Sequence, residues 1–69
     1  MDKNKLLYFI KDRGYKVEDF FNAVNLSKGK FYRRCNNSSF TISEIWQIAD
    51  LLKLTIEEIN SIFFAKYVS

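Results

Sequence analysis

Residues 17–35 read VEDFFNAVNLSKGKFYRRC, a pattern that predicts two short helices joined by a tight turn. Apolar side chains recur at helical spacing over 17–24, and the acidic pair in its first turn suits the positive end of a helix dipole. Asn25 tolerates the left-handed conformation of a turn, and Ser27 is a good N-cap. A second helix is therefore expected over 28–35.

Positive charge is concentrated in the second of these helices. Residues 28–34 hold four basic side chains and no acidic one. The whole chain has a formal net charge of +3, but residues 1–36 carry nine basic and four acidic side chains, whereas residues 37–69 carry two and four. A basic patch confined to one part of a small domain is typical of a site that binds a polyanion.

Two further helices are predicted by capping boxes. Thr41 is followed three positions later by Glu44, and Thr55 by Glu58. In such a box the Thr side chain caps the first turn and the Glu side chain reaches back to the cap residue. Apolar residues flank both boxes at the spacing of a hydrophobic staple; the pairs are Phe40 with Ile45 and Leu54 with Ile59. We therefore expect a fourth helix after Thr41 and a fifth after Thr55.

The remaining segments complete an all-α chain. Residues 3–13 carry an apolar stripe at helical spacing and precede Gly14, which can end a helix in a left-handed conformation. Residues 36–39 are Asn-Asn-Ser-Ser, which has the composition of a loop. We expect one compact domain of five helices over residues 1–69, with a helix-turn-helix formed by the second and third.

Composition excludes several classes of protein. The chain has 69 residues, 48% of them hydrophobic, with no Pro, one Cys and no His. A disulfide framework needs two cysteines, a zinc site lacks a ligand set, and the single Cys has no His to act as its base. No stretch has the length of a membrane span or the pattern of a signal peptide. We expect a cytoplasmic protein that is not an enzyme and has no metal, cofactor or membrane partner.

The order helix, turn, helix suits double-stranded DNA, because the first helix can rest across the phosphate backbone while the second enters the major groove. Phe31 and Cys35 are spaced to face inward, which leaves polar side chains for the outer surface. Arg and Lys donate to guanine O6 and N7, and the amides of a helix start hold a phosphate. The candidate DNA contacts are Ser27, Lys28, Lys30, Tyr32, Arg33, Arg34 and Asn37.

These contacts have plainer alternatives. Lys28, Lys30 and Arg33 could form a solvated helix face, and Tyr32 could pack against the domain instead of contacting DNA. Arg34 occupies a position that a strict helical stripe would bury. We expect its stem along the core and its charged head at a phosphate.

The end of the chain is more apolar than one helix face requires. Residues 62–68 read IFFAKYV, and only one side of a helix there is needed to cover the core. We expect Phe64, Tyr67 and Val68, together with Trp46 on the fourth helix, as candidates for self-association or for contact with a partner protein. Trp46 could instead be half-buried within its own domain.

Residues 16–37 resemble the helix-turn-helix of the lambda-repressor-like, Cro/CI-type (XRE) regulators. The resemblance lies in Leu26-Ser27-Lys28 and Phe31-Tyr32-Arg33-Arg34, and it continues through 40–45, Ile48-Ala49 and 59–64. The chain is similar above all to the small phage-encoded regulators of Gram-positive hosts. The resemblance implies a five-helix domain whose third helix is the recognition helix. It also implies a dimer on a palindromic operator, acting as a repressor or as the opposing switch protein.

The chain departs from the pattern of this family at four positions. Val17 stands where the second helix usually begins with a polar residue such as Gln, and Phe21 stands where the family has a small Ala. Asn25 and Asn37 replace glycines of the turn and of the end of the third helix. Val17 weakens the expectation of a phosphate clamp from the second helix, and Phe21 implies altered packing between the two helices.

Two functions are open on the sequence alone. The first is sequence-specific binding of double-stranded DNA by a transcriptional regulator that occupies its operator in a bacterial or phage-infected cell. The alternative is a small phage protein-binding module, an antirepressor or an inhibitor of a host protein, that uses the same fold. Binding to DNA at low salt distinguishes the two, because phosphate contacts give an affinity that falls steeply as salt rises.

Overall fold

A computed structural model describes residues 1–65 of the chain. Five α-helices follow one another in this part: α1 (Lys3–Asp12), α2 (Val17–Ala23), α3 (Lys28–Asn37), α4 (Ile42–Leu52) and α5 (Ile56–Phe63). Residues 1–65 contain no β-strand. The predicted all-α, five-helix architecture is confirmed, with α2 and α3 forming the helix-turn-helix. Within residues 1–65, none of the helices combines the length and the hydrophobicity that a membrane span requires.

The start of each of the last two helices is fixed by a complete capping box. The Thr41 hydroxyl accepts a hydrogen bond from the Glu44 amide at 3.1 Å, and the Glu44 carboxylate accepts one from the Thr41 amide at 2.8 Å. Thr55 and Glu58 repeat the arrangement with the same two distances. Amides that would otherwise lack partners are satisfied in this way. Both boundaries predicted from the sequence are confirmed.

Truncation of either cap is expected to lower stability without changing the fold. Thr41→Ala or Thr55→Ala removes the hydroxyl acceptor and should lower the free energy of unfolding by about 1 kcal/mol in each case. Urea denaturation followed by circular dichroism measures the loss. Thr41→Ser and Thr55→Ser keep the acceptor and serve as matched controls. Equal losses in the Ala and Ser variants would show that the hydroxyl does not stabilise these helices.

The end of α3 differs from the sequence-based prediction. The helix continues to Asn37, so the expectation of a loop over 36–39 is wrong for its first two residues. Asn is only weakly unfavourable inside a helix, and the side chains of Asn36 and Asn37 are both exposed. The helix ends at Ser38, which adopts a left-handed conformation with φ of 50°, and the Ser39 amide donates to the Arg34 carbonyl at 3.0 Å. The left-handed residue, and not the Asn pair, therefore ends the helix.

Phe31 lies at the centre of the core. Its side chain is fully buried, and its ring packs against Phe20 at 6.2 Å, Phe21 at 4.7 Å and Phe40 at 5.7 Å between centroids. Other fully buried side chains come from α1, α2, α4 and α5: Leu6, Ile10, Phe20, Ile48, Leu52 and Ile62. One aromatic ring on α3 thus connects α2 with the segment that precedes α4.

Arg13 connects α1 to the last two helices. Its Nε donates to the Leu52 carbonyl at 3.0 Å, and its Nη2 lies 3.2 Å from the Glu58 carboxylate. The guanidinium also lies over the Phe9 ring, 5.0 Å from its centroid. Because Glu58 belongs to the capping box of α5, one arginine secures the end of α1, the end of α4 and the start of α5.

The ionisation of Glu58 should make the stability of the domain dependent on pH. The hydrogen bond from the Thr55 amide, and then the charge of Arg13, hold the pKa of Glu58 below its usual value of 4.5. A carboxyl group whose pKa is lower in the folded than in the unfolded chain stabilises the fold at pH values above the unfolded-state pKa. This stabilisation is lost as the pH falls through the pKa of the folded state.

Glu58→Gln is expected to be less stable than the native chain at about pH 7 and to lose less stability on acidification to about pH 3. Urea midpoints at the two pH values measure this difference. The same acid-induced loss in both proteins would show that Glu58 does not contribute to the pH dependence.

Candidate nucleic-acid interface

The candidate site is built on α3, whose inner side is fixed by two core residues. Phe31 is fully buried and Cys35 is nearly so. With 3.6 residues per turn, Arg33 lies opposite the midpoint between them. The exposed residues of α3, which we call the reader face, are Gly29, Lys30, Arg33, Asn36 and Asn37 on this outer side, together with Lys28 in the first turn.

The packing behind α3 determines which side faces outward. Phe21 of α2 packs against Phe31, with 4.7 Å between ring centroids, and against Tyr32 at 5.8 Å. A phenyl ring thus fills the contact between α2 and α3. Rotation of α3 about its axis would expose Phe31, so burial of this ring keeps the reader face towards solvent.

The basic side chains of the reader face have no acidic partner in the described chain. The ion pairs among residues 1–65 involve Arg13 and Arg34, and none includes Lys28, Lys30 or Arg33. All three are exposed, as the sequence predicted. Uncompensated cations on one face of a helix produce a positive potential that attracts a polyanion.

The two ends of α3 carry the polar candidates Ser27 and Asn37. The Ser27 hydroxyl accepts a hydrogen bond from the Lys30 amide at 3.2 Å and caps the helix, as predicted. Asn37 is the last helical residue and is exposed on the reader face. The outer side of α3 therefore presents polar groups along its whole length.

Tyr32 is half-buried, whereas the sequence placed it on the outer surface. Its ring packs edge-to-face against Phe21 and Phe31, with 5.8 Å and 5.7 Å between the ring centroids. Lys3 of α1 approaches the same ring, with its Nζ 5.8 Å from the centroid. The Tyr32 ring is therefore packed within the domain, because the large Phe21 side chain provides a surface for it.

Arg34 lies beside the reader face and is paired within the chain. Its Nη1 lies 3.1 Å from Oε1 of Glu44, and 30% of its side chain is exposed. Its Nε is buried, in keeping with the expectation that the stem lies along the core. The charged head points to the start of α4 and meets a carboxylate there.

Two residues of this region, Asn36 and Lys3, are not among the candidate contacts predicted from the sequence. Asn36 falls in the segment predicted as a loop, although a position three residues after Arg33 lies on the same side of a helix. Continuing the helix by one turn would have placed its amide on the reader face. Lys3 is far from α3 in sequence, and only the packing of α1 beside Tyr32 brings its charge near.

The candidates for protein contact lie on other helices. Trp46 is 61% exposed and Phe64 is 40% exposed, as expected, while Tyr67 and Val68 lie outside the described residues. Ile42 and Ile56, at 74% and 73%, are also exposed. Trp46 and Ile56 line one groove between α4 and α5. We call Ile42, Trp46 and Ile56 the apolar patch.

Cys35 is a core residue, as the sequence indicated. Only 4% of it is exposed. Burial raises the pKa of its thiol to about 11. The thiol is therefore protonated at neutral pH and packs as a small apolar group.

The whole five-helix unit corresponds to one described protein family. The profile of the Cro/C1-type HTH DNA-binding domain matches residues 5–64, which include all of α2 to α5 and most of α1. Neither the curated proteins nor the solved structures contain a match to this chain. The extent of the family match is enough for assignment: the chain belongs to the Cro/C1-type helix-turn-helix DNA-binding domains.

Proposed function

We propose that the protein is a transcriptional regulator that recognises a specific site on double-stranded DNA and acts by occupying it. The observation that carries the proposal is the reader face, where Lys28, Lys30 and Arg33 are exposed and have no acidic partner among the described residues. Membership of a family of DNA-binding domains supports the choice of DNA as the polyanion. The role is that of a binding protein and not of an enzyme.

In the proposed complex α3 lies in the major groove, with Arg33 at the centre of the contact. An Arg in this position can donate two hydrogen bonds to guanine O6 and N7, and the amides of Asn36 and Asn37 can pair with adenine. Lys28 and Lys30, near the start of the helix, supply charge to phosphates or to guanine. Ser27 and the first amides of α3 are the proposed contacts to a phosphate of the backbone.

Two copies on a palindromic site would account for the apolar patch. Two recognition helices about 34 Å apart fit successive turns of one face of DNA. The patch consists of Ile42, Trp46 and Ile56, which offer less than the roughly 800 Å² per partner of a standard interface. We therefore propose a dimer that is weak in free solution and is completed on the operator. Occlusion of polymerase or of a rival regulator would make it a repressor or a Cro-like switch protein.

The exposed Trp46 favours a second candidate function. A Trp that is 61% exposed beside two exposed isoleucines is the kind of surface that binds another protein. In this alternative the protein is an antirepressor or an inhibitor of a host protein, and the apolar patch is its binding site. The reader face would then have no specific DNA target.

Selection from random duplexes, followed by titration of the selected duplex over a range of salt concentrations, tests the proposed function. We expect one preferred site and an affinity that falls steeply with salt, since each phosphate contact contributes roughly −0.9 to the slope of log K against log salt. Absence of binding at low salt would contradict the proposal and favour the protein-binding alternative.

A further inference from the structure

Arg34 differs from the other basic residues of α3 in having a partner. Its Nη1 lies 3.1 Å from Oε1 of Glu44, and the two side chains are only 30% and 19% exposed. Lys28, Lys30 and Arg33, by contrast, are exposed and make no ion pair in the described chain. The shielding of the pair from solvent strengthens the attraction between its charges.

The carboxylate that meets Arg34 is held in place by the capping box of α4. The same oxygen, Oε1 of Glu44, accepts the hydrogen bond from the Thr41 amide at 2.8 Å. The Thr41 hydroxyl in turn accepts from the Glu44 amide at 3.1 Å. Glu44 is thereby fixed at the start of α4, and the ion pair joins α3 to a rigid point of the scaffold.

A second nitrogen of the guanidinium is closed to DNA. The Nε atom of Arg34 is buried and has no hydrogen-bond partner among the described residues. A phosphate cannot reach Nε, and a phosphate at Nη1 would have to displace Glu44. The geometry therefore favours a role within the protein over a phosphate contact.

We propose that Arg34 is a positioning residue, whose ion pair with Glu44 sets the orientation of the second half of α3. The first half of the helix is held by apolar packing of Phe31 on α2. Such packing is non-directional, whereas an ion pair to a fixed carboxylate defines the direction in which Arg33, Asn36 and Asn37 point. The inference rests on the proposed function of the reader face and assigns the control of its specificity to a residue that does not touch DNA.

Two variants remove the pair from opposite sides. Arg34→Gln takes away the cation, and Glu44→Gln takes away the anion while Gln can still complete the capping box. Glu58→Gln is the matched control, because it makes the same exchange in the capping box of α5, where the carboxylate also pairs with an arginine. Any loss that reflects helix capping or general stability alone should appear in the control as well.

Hydrogen exchange of the free protein is the first measurement. Arg34→Gln and Glu44→Gln are expected to accelerate exchange of the amides in the second half of α3 by about tenfold more than Glu58→Gln does, since that control reports the effect of general stability alone. Unchanged exchange in the first two variants would overturn the proposal. This result does not depend on DNA binding, so it remains decisive if the proposed function fails because the native chain binds no duplex.

Discrimination between the selected and a random duplex is the second measurement. If Arg34 acts by positioning, the ratio of the affinity for the selected duplex to that for the random duplex should fall about tenfold in both variants, although one lowers and the other raises the net charge. The double variant should lose no more than either single one. Tighter binding of Glu44→Gln than of Glu58→Gln to the selected duplex would overturn the proposal, because the two variants carry the same net charge and only the first frees Arg34 to contact a phosphate.

Discussion

The double variant Lys28→Ala/Arg33→Ala is expected to lose its selectivity for a DNA sequence, with affinity for the selected duplex falling on the order of a hundredfold or more. Arg33 is at the centre of the reader face, and one bidentate contact to guanine is worth about 1–3 kcal/mol. Loss of a phosphate contact at Lys28 adds to this and should lower the slope of log K against log salt by about one. Fluorescence anisotropy with the selected and a random duplex measures both effects.

The control for this experiment removes the same charge from another helix. Lys5 and Lys11 are exposed on α1, so Lys5→Ala/Lys11→Ala tests the effect of net charge alone. We expect this control to keep its preference for the selected duplex. All four side chains are exposed or lie outside the core, and neither double variant should unfold the domain. Equal losses of selectivity in the two would show that the reader face is not the site of recognition.

Phe31→Ala is expected to remove about half or more of the stability of the domain. The ring is fully buried and contacts aromatic rings from α2 and from the segment before α4. Truncation of a buried Phe costs about 3–5 kcal/mol, whereas a domain of this size has a total stability of about 3–10 kcal/mol. The far-ultraviolet circular dichroism signal of the helices should fall, and the urea midpoint should shift strongly or disappear.

Tyr8→Ala supplies the comparison for this variant, because Tyr8 is an aromatic residue of α1 that is mostly exposed. Its loss should change the free energy of unfolding by about 1 kcal/mol or less. If Phe31→Ala retained the urea midpoint of the native chain, the core described above would not be the one that stabilises the fold.

Local signals explain why most of the fold could be predicted from the sequence. The capping boxes at Thr41 and Thr55 predict where α4 and α5 begin. In each box a hydroxyl and a carboxylate three residues apart accept hydrogen bonds from amides that have no partner within the helix. The end of α3 was not predicted, because it depends on the left-handed conformation of Ser38, and Ser is not a residue that signals such a conformation.

The candidate site was predictable where it follows from helical spacing and not where it depends on tertiary contacts. The exposure of Lys30 and Arg33 follows from the burial of Phe31 and Cys35 on the same helix, whereas Lys28 is exposed in its first turn. The pairing of Arg34 with Glu44 joins residues of two helices, and no spacing rule within one helix reports it. Counting basic residues in the sequence therefore overestimates the number of basic side chains that are available to bind DNA.

Titration of the isotope-labelled protein with its selected duplex, followed through backbone amide chemical shifts, is the most direct test of the central claim that α3 binds DNA through its reader face. The account predicts that the largest changes fall on residues 27–37, with the apolar patch of Ile42, Trp46 and Ile56 affected only if two copies meet on the site. Changes confined to α4 and α5, with the amides of α3 unmoved, would contradict it.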